Sequence, residues 1–232
     1  MKIAGIRKTS LIDYPGHIAT VVFTQGCNFH CPYCHNAELI SEDRDIEYMD
    51  MNYFWDFLDK RFDLLDGVVI TGGEPTLQPD ILEFAGKIKE NNLKVKLDTN
   101  GSNFMVIKKL IDDGLVDYIA VDIKGIPDSY DEYSKSKSVV HSLEKLVQFI
   151  LNNNINYEFR TTVVPGLHDK DDIEEIARFI IGAEKYVIQN FKPVSTYDSS
   201  FENKHPFLDS VLEKFKQTAE NVLKNTEVVL RD

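Results

Sequence analysis

Three cysteines, the only ones in the 232-residue chain, lie close together with the spacing C-x3-C-x2-C, at Cys27, Cys31 and Cys34. An odd number of cysteines on so short a loop cannot all be joined in disulfides. Three thiolates can instead bind a metal centre and leave one coordination position open. An open position is where a metal centre binds a reacting molecule, so we predict that these three cysteines are the ligands of a reactive metal site.

Thiolate ligands favour either zinc or an iron–sulfur cluster. A zinc site of three cysteines and His35 is the alternative, but Cys34 and His35 are adjacent, which makes tetrahedral closure on one ion awkward. The chain also has no second cysteine pair to complete a zinc ribbon. A [4Fe–4S] cluster held by three cysteines leaves one iron without a protein ligand.

That iron can bind a small molecule that has an amine and a carboxylate. Glu74 and the backbone around Gly73 are candidates to bind the ammonium group, and Arg160 or Lys124 could meet the carboxylate.

Short β-branched runs alternate with longer amphipathic runs along the chain, which is typical of parallel β/α units with right-handed crossovers. The predicted strands are residues 18–24, 68–71, 94–98, 118–123, 157–164 and 186–191, with one more short candidate at 228–230. The predicted helices are residues 49–65, 80–90, 104–113, 142–151, 171–181 and 206–223.

The number of units predicts the fold class. A closed barrel of eight β/α units needs about 250 residues, whereas this chain offers six units and an additional N-terminal segment. We therefore predict an α/β fold, a partial (β/α)6 barrel with parallel strands that is open on one side. A doubly wound open sheet is the alternative. Without a linker or repeat, residues 1–232 are expected to form a single domain, with an N-terminal extension at 1–16 and a C-terminal helix and candidate edge strand within 194–232.

The ends of the predicted strands carry glycine, polar and charged residues, and in parallel barrels the active site lies at these carboxyl ends. Each group has an ordinary structural explanation by itself. Gly72 and Gly73 suit any tight turn, residues 98–101 suit a turn or a helix N-cap, and Arg160 could form a structural ion pair. Their common position beside three cysteines favours a binding site.

The charge balance limits the classes of partner. The chain has 38 acidic and 26 basic residues, a net charge of −12, which argues against nucleic acid as a partner. No run approaches the ~18 apolar residues of a membrane span, and residues 1–8 lack the apolar core of a signal peptide. Cysteine thiols without an export signal indicate a reducing, cytoplasmic location.

The cysteine motif, with Tyr33 before its last cysteine, and Gly72-Gly73-Glu74-Pro75 after the second strand resemble the radical S-adenosylmethionine (SAM) enzymes. The resemblance implies that SAM binds the iron that lacks a protein ligand, and that an electron from flavodoxin or ferredoxin cleaves it to methionine and a 5′-deoxyadenosyl radical. It also implies a set of cofactor-binding residues.

In that set Tyr33, Cys34 and His35 lie along the adenine and ribose, and Gly72, Gly73 and Glu74 hold the methionine amine. Asp98, Thr99 and Asn100 lie near the methionyl or ribose groups, with Arg160 and Gln189 in the same pocket.

Within this superfamily, residues 10–16, 23–28 and 31–36 resemble the glycyl-radical-enzyme activating proteins, most of all those of anaerobic ribonucleoside-triphosphate reductase. The resemblance implies that the radical removes a hydrogen atom from a glycine of a partner enzyme. Pyruvate formate-lyase activating enzymes are similar at residues 33–36, 98–101 and 163–166, but residues 189–193 depart from their Leu-Pro-Tyr/Phe-His pattern. A radical enzyme acting on a small molecule and a zinc-binding interaction module are the other hypotheses.

Overall fold

The computed structural model describes residues 1–41, 47–137 and 139–231, in which eight strands and seven α-helices are found. The strands are β1 Ile3–Ser10, β2 Ala19–Thr24, β3 Gly67–Gly72, β4 Lys94–Thr99, β5 Tyr118–Asp122, β6 Asn156–Val163, β7 Lys185–Asn190 and β8 Glu227–Arg231. The helices are α1 Met51–Asp59, α2 Ile81–Glu90, α3 Phe104–Asp112, α4 Tyr130–Ser134, α5 Val140–Leu151, α6 Lys170–Phe179 and α7 Asp209–Val222.

The chain divides into two compact units, and the first consists of Met1–Asn28, Glu38–Thr99 and Met105–Ile119. In this unit β1 pairs antiparallel with β2, and β2, β3 and β4 pair parallel in sequence. The middle strands are almost entirely buried, as expected for parallel strands covered on both faces. Phe54 and Leu58 of α1 and the apolar face of α2 are buried in this unit's core.

The second unit consists of Phe29–Ala37, Asn100–Phe104 and Ala120–Asp232, and in it β6, β7 and β8 pair parallel. Successive side chains of a strand point to opposite faces. Phe159 and Thr161 of β6 are therefore on one face, and Glu158 and Arg160 on the other. A capping box formed by Asp169 and Asp172 begins α6, whose buried face is apolar.

The expected fold class, an α/β fold with a mostly parallel open sheet, is confirmed. The strands lie in chain order within each unit, β1 to β4 in the first and β6 to β8 in the second, and the residues of β5 are divided between the two units. Only the pairing of β1 with β2 is antiparallel among the pairings described. All six predicted strands and the short candidate at 228–230 are present. That the chain forms one domain stays a prediction.

Two elements differ from the prediction. The N-terminal extension contains strand β1, in which only Ile3 and Ser10 are buried, so it lacks the apolar alternation that identifies a strand. The helix predicted at 49–65 ends at Asp59, and a short 3₁₀ turn follows at Phe62–Leu64. Phe62 is 55% exposed, so it does not extend the buried face of the helix as its spacing suggested. Within the described ranges, no helix is long and apolar enough to cross a membrane.

Candidate functional site

The pair Gly72 and Gly73, at the end of β3, packs directly against the backbone that precedes Cys27, in the first unit. The amide of Gly73 donates to the carbonyl of Thr24 at 2.9 Å, and the amide of Glu74 donates to the carbonyl of Gly26 at 2.7 Å. A Cβ atom at Gly73 would lie 2.1 Å from that Gly26 oxygen, and Gly72 has φ +117°, a conformation that favours glycine. Glycine is therefore required at both positions for this close approach.

Glu74 is completely buried and is held by two threonines. Its Oε1 accepts from the amide of Thr76 at 3.1 Å, from the Thr76 hydroxyl at 2.5 Å and from the Thr99 hydroxyl at 2.8 Å. The side chain thereby caps the 3₁₀ turn at Pro75–Leu77 and connects it to the end of β4. The carboxylate has a fixed position in the unit, and its predicted role at an ammonium group stays a prediction.

Asp98, another predicted site residue of the first unit, forms an ion pair with Lys96 two residues earlier on β4. Lys96 is almost completely buried, and its ammonium lies 5.8 Å from the centroid of the Tyr118 ring. Sequence reasoning missed Lys96. A lysine within an otherwise apolar strand, on the same face as Asp98, was the available signal, because buried lysine requires an anionic partner.

The loop of Cys31 and Cys34 lies in the second unit, where the segment after β7 holds it. The amide of Cys34 donates to the carbonyl of Cys31 at 3.0 Å, and the amide of Tyr197 donates to the carbonyl of Cys34 at 3.1 Å. His35 stacks on Phe191 with ring centroids 5.7 Å apart. The amide of Asp198 donates to the carbonyl of Pro32 at 2.9 Å. His35 Nε2 lies within hydrogen-bond distance, 2.5 Å, of the carbonyl oxygen of Lys192.

The thiols of this loop are not joined in disulfides, and their environment controls their ionisation. Burial raises the pKa of Cys31 to about 11 and also raises the pKa of Cys34. The positive charge of Lys124 acts in the opposite direction on both, because a nearby cation favours a thiolate. Tyr33 between them is buried, and burial raises its pKa well above the usual range.

Lys124, which follows β5, is held through both its backbone and its side chain. Its amide donates to the Tyr130 hydroxyl at 3.0 Å, and its carbonyl accepts from His168 Nε2 at 2.9 Å. Its ammonium lies 3.1 Å from Oδ2 of Asp122, while Arg160 Nε lies 2.8 Å from Oδ1. Burial opposes the charge of Asp122, but Arg160 and Lys124 outweigh it and lower the Asp122 pKa.

Arg160 thus takes part in the ion pair that sequence reasoning kept as its alternative role. Asn100 accepts a bond from the amide of Ser102 at 2.9 Å, which is the turn geometry expected of this residue. Gln189 lies on β7, in register between Thr162 of β6 and Arg231 of β8. Roles for these three residues at a cofactor stay predictions.

The predicted site residues are divided between the two units. The first unit contains Cys27, Gly72, Gly73, Glu74, Asp98 and Thr99. The second contains Cys31, Tyr33, Cys34, His35, Asn100, Arg160 and Gln189. In the ranges that the structure describes, no three His, Cys, Asp or Glu side chains are placed to hold a single metal ion.

The donor set still fits an iron–sulfur cluster, because each thiolate of a cubane binds a separate iron. The Lys124 cation acts to lower the pKa of two of the three thiols, those of Cys31 and Cys34. The third, Cys27, follows Gly26, whose carbonyl accepts a hydrogen bond from the Glu74 amide.

Comparison with known proteins identifies the superfamily that the sequence motifs resemble. The family model described as "Radical SAM superfamily" matches residues 21–180. A protein of Methanocaldococcus jannaschii named as a candidate glycyl-radical enzyme activating enzyme is 37% identical, over 99% of this chain and 95% of its own length. Pyruvate formate-lyase 1-activating enzyme of Escherichia coli (strain K12) is 27% identical, over 95% of this chain and 93% of its own.

Solved structures show the same fold. Streptococcus suis SuiB bound to SAM aligns with a TM-score of 0.70 and 16% identity, over 90% of this chain. The alignment covers 48% of the SuiB chain, so this chain spans about half of that protein.

Proposed function

Because the chain belongs to the radical SAM superfamily, we propose that it activates an anaerobic ribonucleoside-triphosphate reductase by forming a glycyl radical on it. The relatives that match along nearly its whole length include activating enzymes of glycyl radical enzymes, and this class of activity is the one the chain shares with them. The family uses a [4Fe–4S] cluster and SAM. The specific partner and the residue roles that follow are the proposal.

In this proposal Cys27, Cys31 and Cys34 would hold the cluster, next to which SAM would bind. When bound, the cluster supplies one electron for the cleavage of SAM, and the cleavage leads to removal of a hydrogen atom from the partner's glycine. The observation that carries the assignment is the bond between the amide of Glu74 and the carbonyl of Gly26. It joins the glycine-rich loop to the residue before Cys27.

The chain's own residues orient the cofactor. Glu74, held by Thr76 and Thr99, presents a fixed carboxylate for the ammonium group of SAM, with the Gly73 backbone beside it. Lys124 is a partly buried cation, and its pKa is raised by Asp122 against the effect of burial, so it is suited to the SAM carboxylate. Tyr33, Cys34 and His35 provide surfaces for adenine and ribose.

Four further residues complete the proposed SAM site. We propose that Asp98, Thr99 and Asn100 lie near the methionyl or ribose groups and that Gln189 belongs to the same pocket.

The choice of partner rests on sequence features. Residues 10–16 resemble reductase activating proteins, and residues 189–193 depart from the pyruvate formate-lyase activator pattern. The 27% identity to the Escherichia coli pyruvate formate-lyase activator makes a pyruvate formate-lyase the second candidate partner. We assign the electron donor to the flavodoxin or ferredoxin class, and the location to the cytoplasm, where the cysteine thiols stay reduced.

The proposal is tested by electron paramagnetic resonance. The protein, reconstituted anaerobically with iron and sulfide, is mixed with SAM, a reductant and either a reductase subunit or a pyruvate formate-lyase. We expect a glycyl doublet with the reductase and a far weaker one with the lyase. A doublet only with the lyase would reassign the partner, and SAM turnover on a small substrate without either protein would overturn the activase function.

Metal analysis tests the cluster separately. About four irons with acid-labile sulfide are expected in the wild type, and fewer in variants with serine at Cys27, Cys31 or Cys34. One zinc without labile sulfide would instead support the interaction-module hypothesis.

A further inference from the structure

Glu158 on β6 is a completely buried carboxylate in the second unit that sequence analysis did not single out. Both of its oxygens accept from Arg231 on β8, Oε1 from Nη1 and Oε2 from Nη2, each at 3.1 Å. Nη1 of Arg160 lies 3.9 Å from the same Oε1. A buried carboxylate is costly unless cations compensate it, and here two guanidinium groups do so.

These contacts extend to Lys124 as one series of alternating charges. The series runs Arg231, Glu158, Arg160, Asp122, Lys124, and each member is an ion-pair partner of the next. Arg231 is in register with Gln189 of β7, and Glu158 precedes Arg160 by two residues, so β-strand alternation puts these side chains on one face of the sheet. The series therefore connects the last strand of the chain to the lysine that influences Cys31 and Cys34.

The atoms in contact show what Glu158 does for Lys124. Asp122 gives one oxygen to Arg160 Nε and the other to the Lys124 ammonium. Glu158 lies 3.9 Å from Nη1 of Arg160 and attracts the guanidinium group that binds Asp122 through Nε. The position of Asp122, and with it that of the Lys124 ammonium, therefore depends on Arg160, and the position of Arg160 depends in part on Glu158.

We propose that Glu158, anchored by Arg231, is a positioning residue that holds Arg160 in its contact with Asp122 and thereby fixes the Lys124 ammonium. The inference rests on the proposed function, in which Lys124 meets the carboxylate of SAM. Without the charge of Glu158, Arg160 loses one of its anionic partners, Asp122 and Lys124 are held less firmly, and SAM binding loses a preorganised contact.

The test is a double-mutant cycle on SAM affinity, measured by anaerobic equilibrium binding to the cluster-reconstituted full chain. Lys124→Ala and Glu158→Gln are each expected to weaken SAM binding about tenfold, the size of one charged hydrogen bond. The double variant should bind no more weakly than Lys124→Ala alone. Glu227→Gln is the matched control, because Glu227 forms an exposed pair with Lys185 across β7 and β8, 3.2 Å apart.

A second variant distinguishes a positioning role of Glu158 from a loss of folding. Arg231→Gln removes the guanidinium group that anchors Glu158, and the Arg231 side chain is only partly buried. This variant should weaken SAM binding in the wild-type background but not in the Lys124→Ala background. A merely structural role would lower the unfolding temperature and weaken SAM binding equally in both backgrounds.

Additive effects of Glu158→Gln and Lys124→Ala, or unchanged SAM affinity in both Glu158→Gln and Arg231→Gln, would overturn the inference, while a glycyl doublet formed by the wild type on the reductase would uphold the proposed function. A reconstituted wild type that does not bind SAM would overturn both.

Discussion

Gly73 lies so close to Gly26 that a Cβ atom at Gly73 would be 2.1 Å from the Gly26 carbonyl oxygen. The next amide, that of Glu74, donates a 2.7 Å hydrogen bond to the same oxygen. The residue before Cys27 and the glycine-rich loop are thus in direct contact although they are distant in sequence. Any side chain at Gly73 must displace one of the two backbones.

Gly73→Ala should therefore destabilise the metal-free protein by about 1–3 kcal/mol, the usual cost of forcing an atom into a packed site. It should also reduce the iron bound on reconstitution, because the loop that begins at Gly26 is displaced. Chemical denaturation and iron analysis measure the two effects. Gly5→Ala is the control, since no atom beyond its chain neighbours lies within 4 Å of an added Cβ. Equal stability of both variants would contradict the close approach.

Glu74 offers a way to separate folding from cofactor binding. Glu74→Gln keeps an oxygen that can accept from Thr76 and Thr99, so its stability should be close to that of the wild type, while the loss of charge should weaken SAM binding. Glu74→Ala leaves the donors of Thr76 and Thr99 without this acceptor and should cost about 1–3 kcal/mol for each donor left unsatisfied. Thermal unfolding and SAM binding measure the two outcomes. Wild-type SAM affinity in the glutamine variant would remove Glu74 from the ammonium site.

Tyr130 should matter for the position of Lys124. Tyr130→Phe removes the hydroxyl that accepts from the Lys124 amide, so a partly buried amide loses its acceptor. This loss should cost up to about 1–3 kcal/mol, and SAM binding should weaken. Tyr133→Phe is the control on the same helix, because its hydroxyl donates to Asp172 at 3.1 Å instead. It should leave SAM binding unchanged. If the two variants bind SAM equally, the Tyr130 contact does not position Lys124.

The protein should become less stable as pH falls below about 6.5, in part through His168. Burial lowers the pKa of His168, and its Nδ1 must stay unprotonated to accept from the amide of Val164 at 3.1 Å. Between the lowered pKa and the ordinary value of about 6.5, the unfolded chain binds more protons than the folded one. Stability is therefore full above about 6.5 and is lost as pH decreases.

Denaturation of the metal-free protein between pH 7 and 5 measures the effect. His168→Gln should show a shallower loss of stability over this range than the wild type. His141→Gln, at an exposed position of α5, should keep the wild-type pH dependence. Parallel curves for His168→Gln and the wild type would exclude His168 as the titrating group.

Much of the architecture could be predicted because it depends on local patterns. Apolar, β-branched runs separated by amphipathic segments indicated six parallel strands, and all are present. Strand β1 was missed because only Ile3 and Ser10 of its residues are buried, so its hydrogen bonds to β2 rather than its own pattern stabilise it. The helix end at Asp59 was missed because exposed Phe62 continued the apolar spacing.

The sequence by itself determined which chemistry is available: three thiolates at fixed spacing, a glycine pair before Glu74, and charged residues late in apolar strands. Residue type and spacing suffice for such inferences because neighbours in the chain are neighbours in space. Only the tertiary structure decided that Arg231 pairs with Glu158, 73 positions away, and that Gly26 contacts Gly73. Strand register and loop packing bring these residues together, and a short window of sequence contains neither.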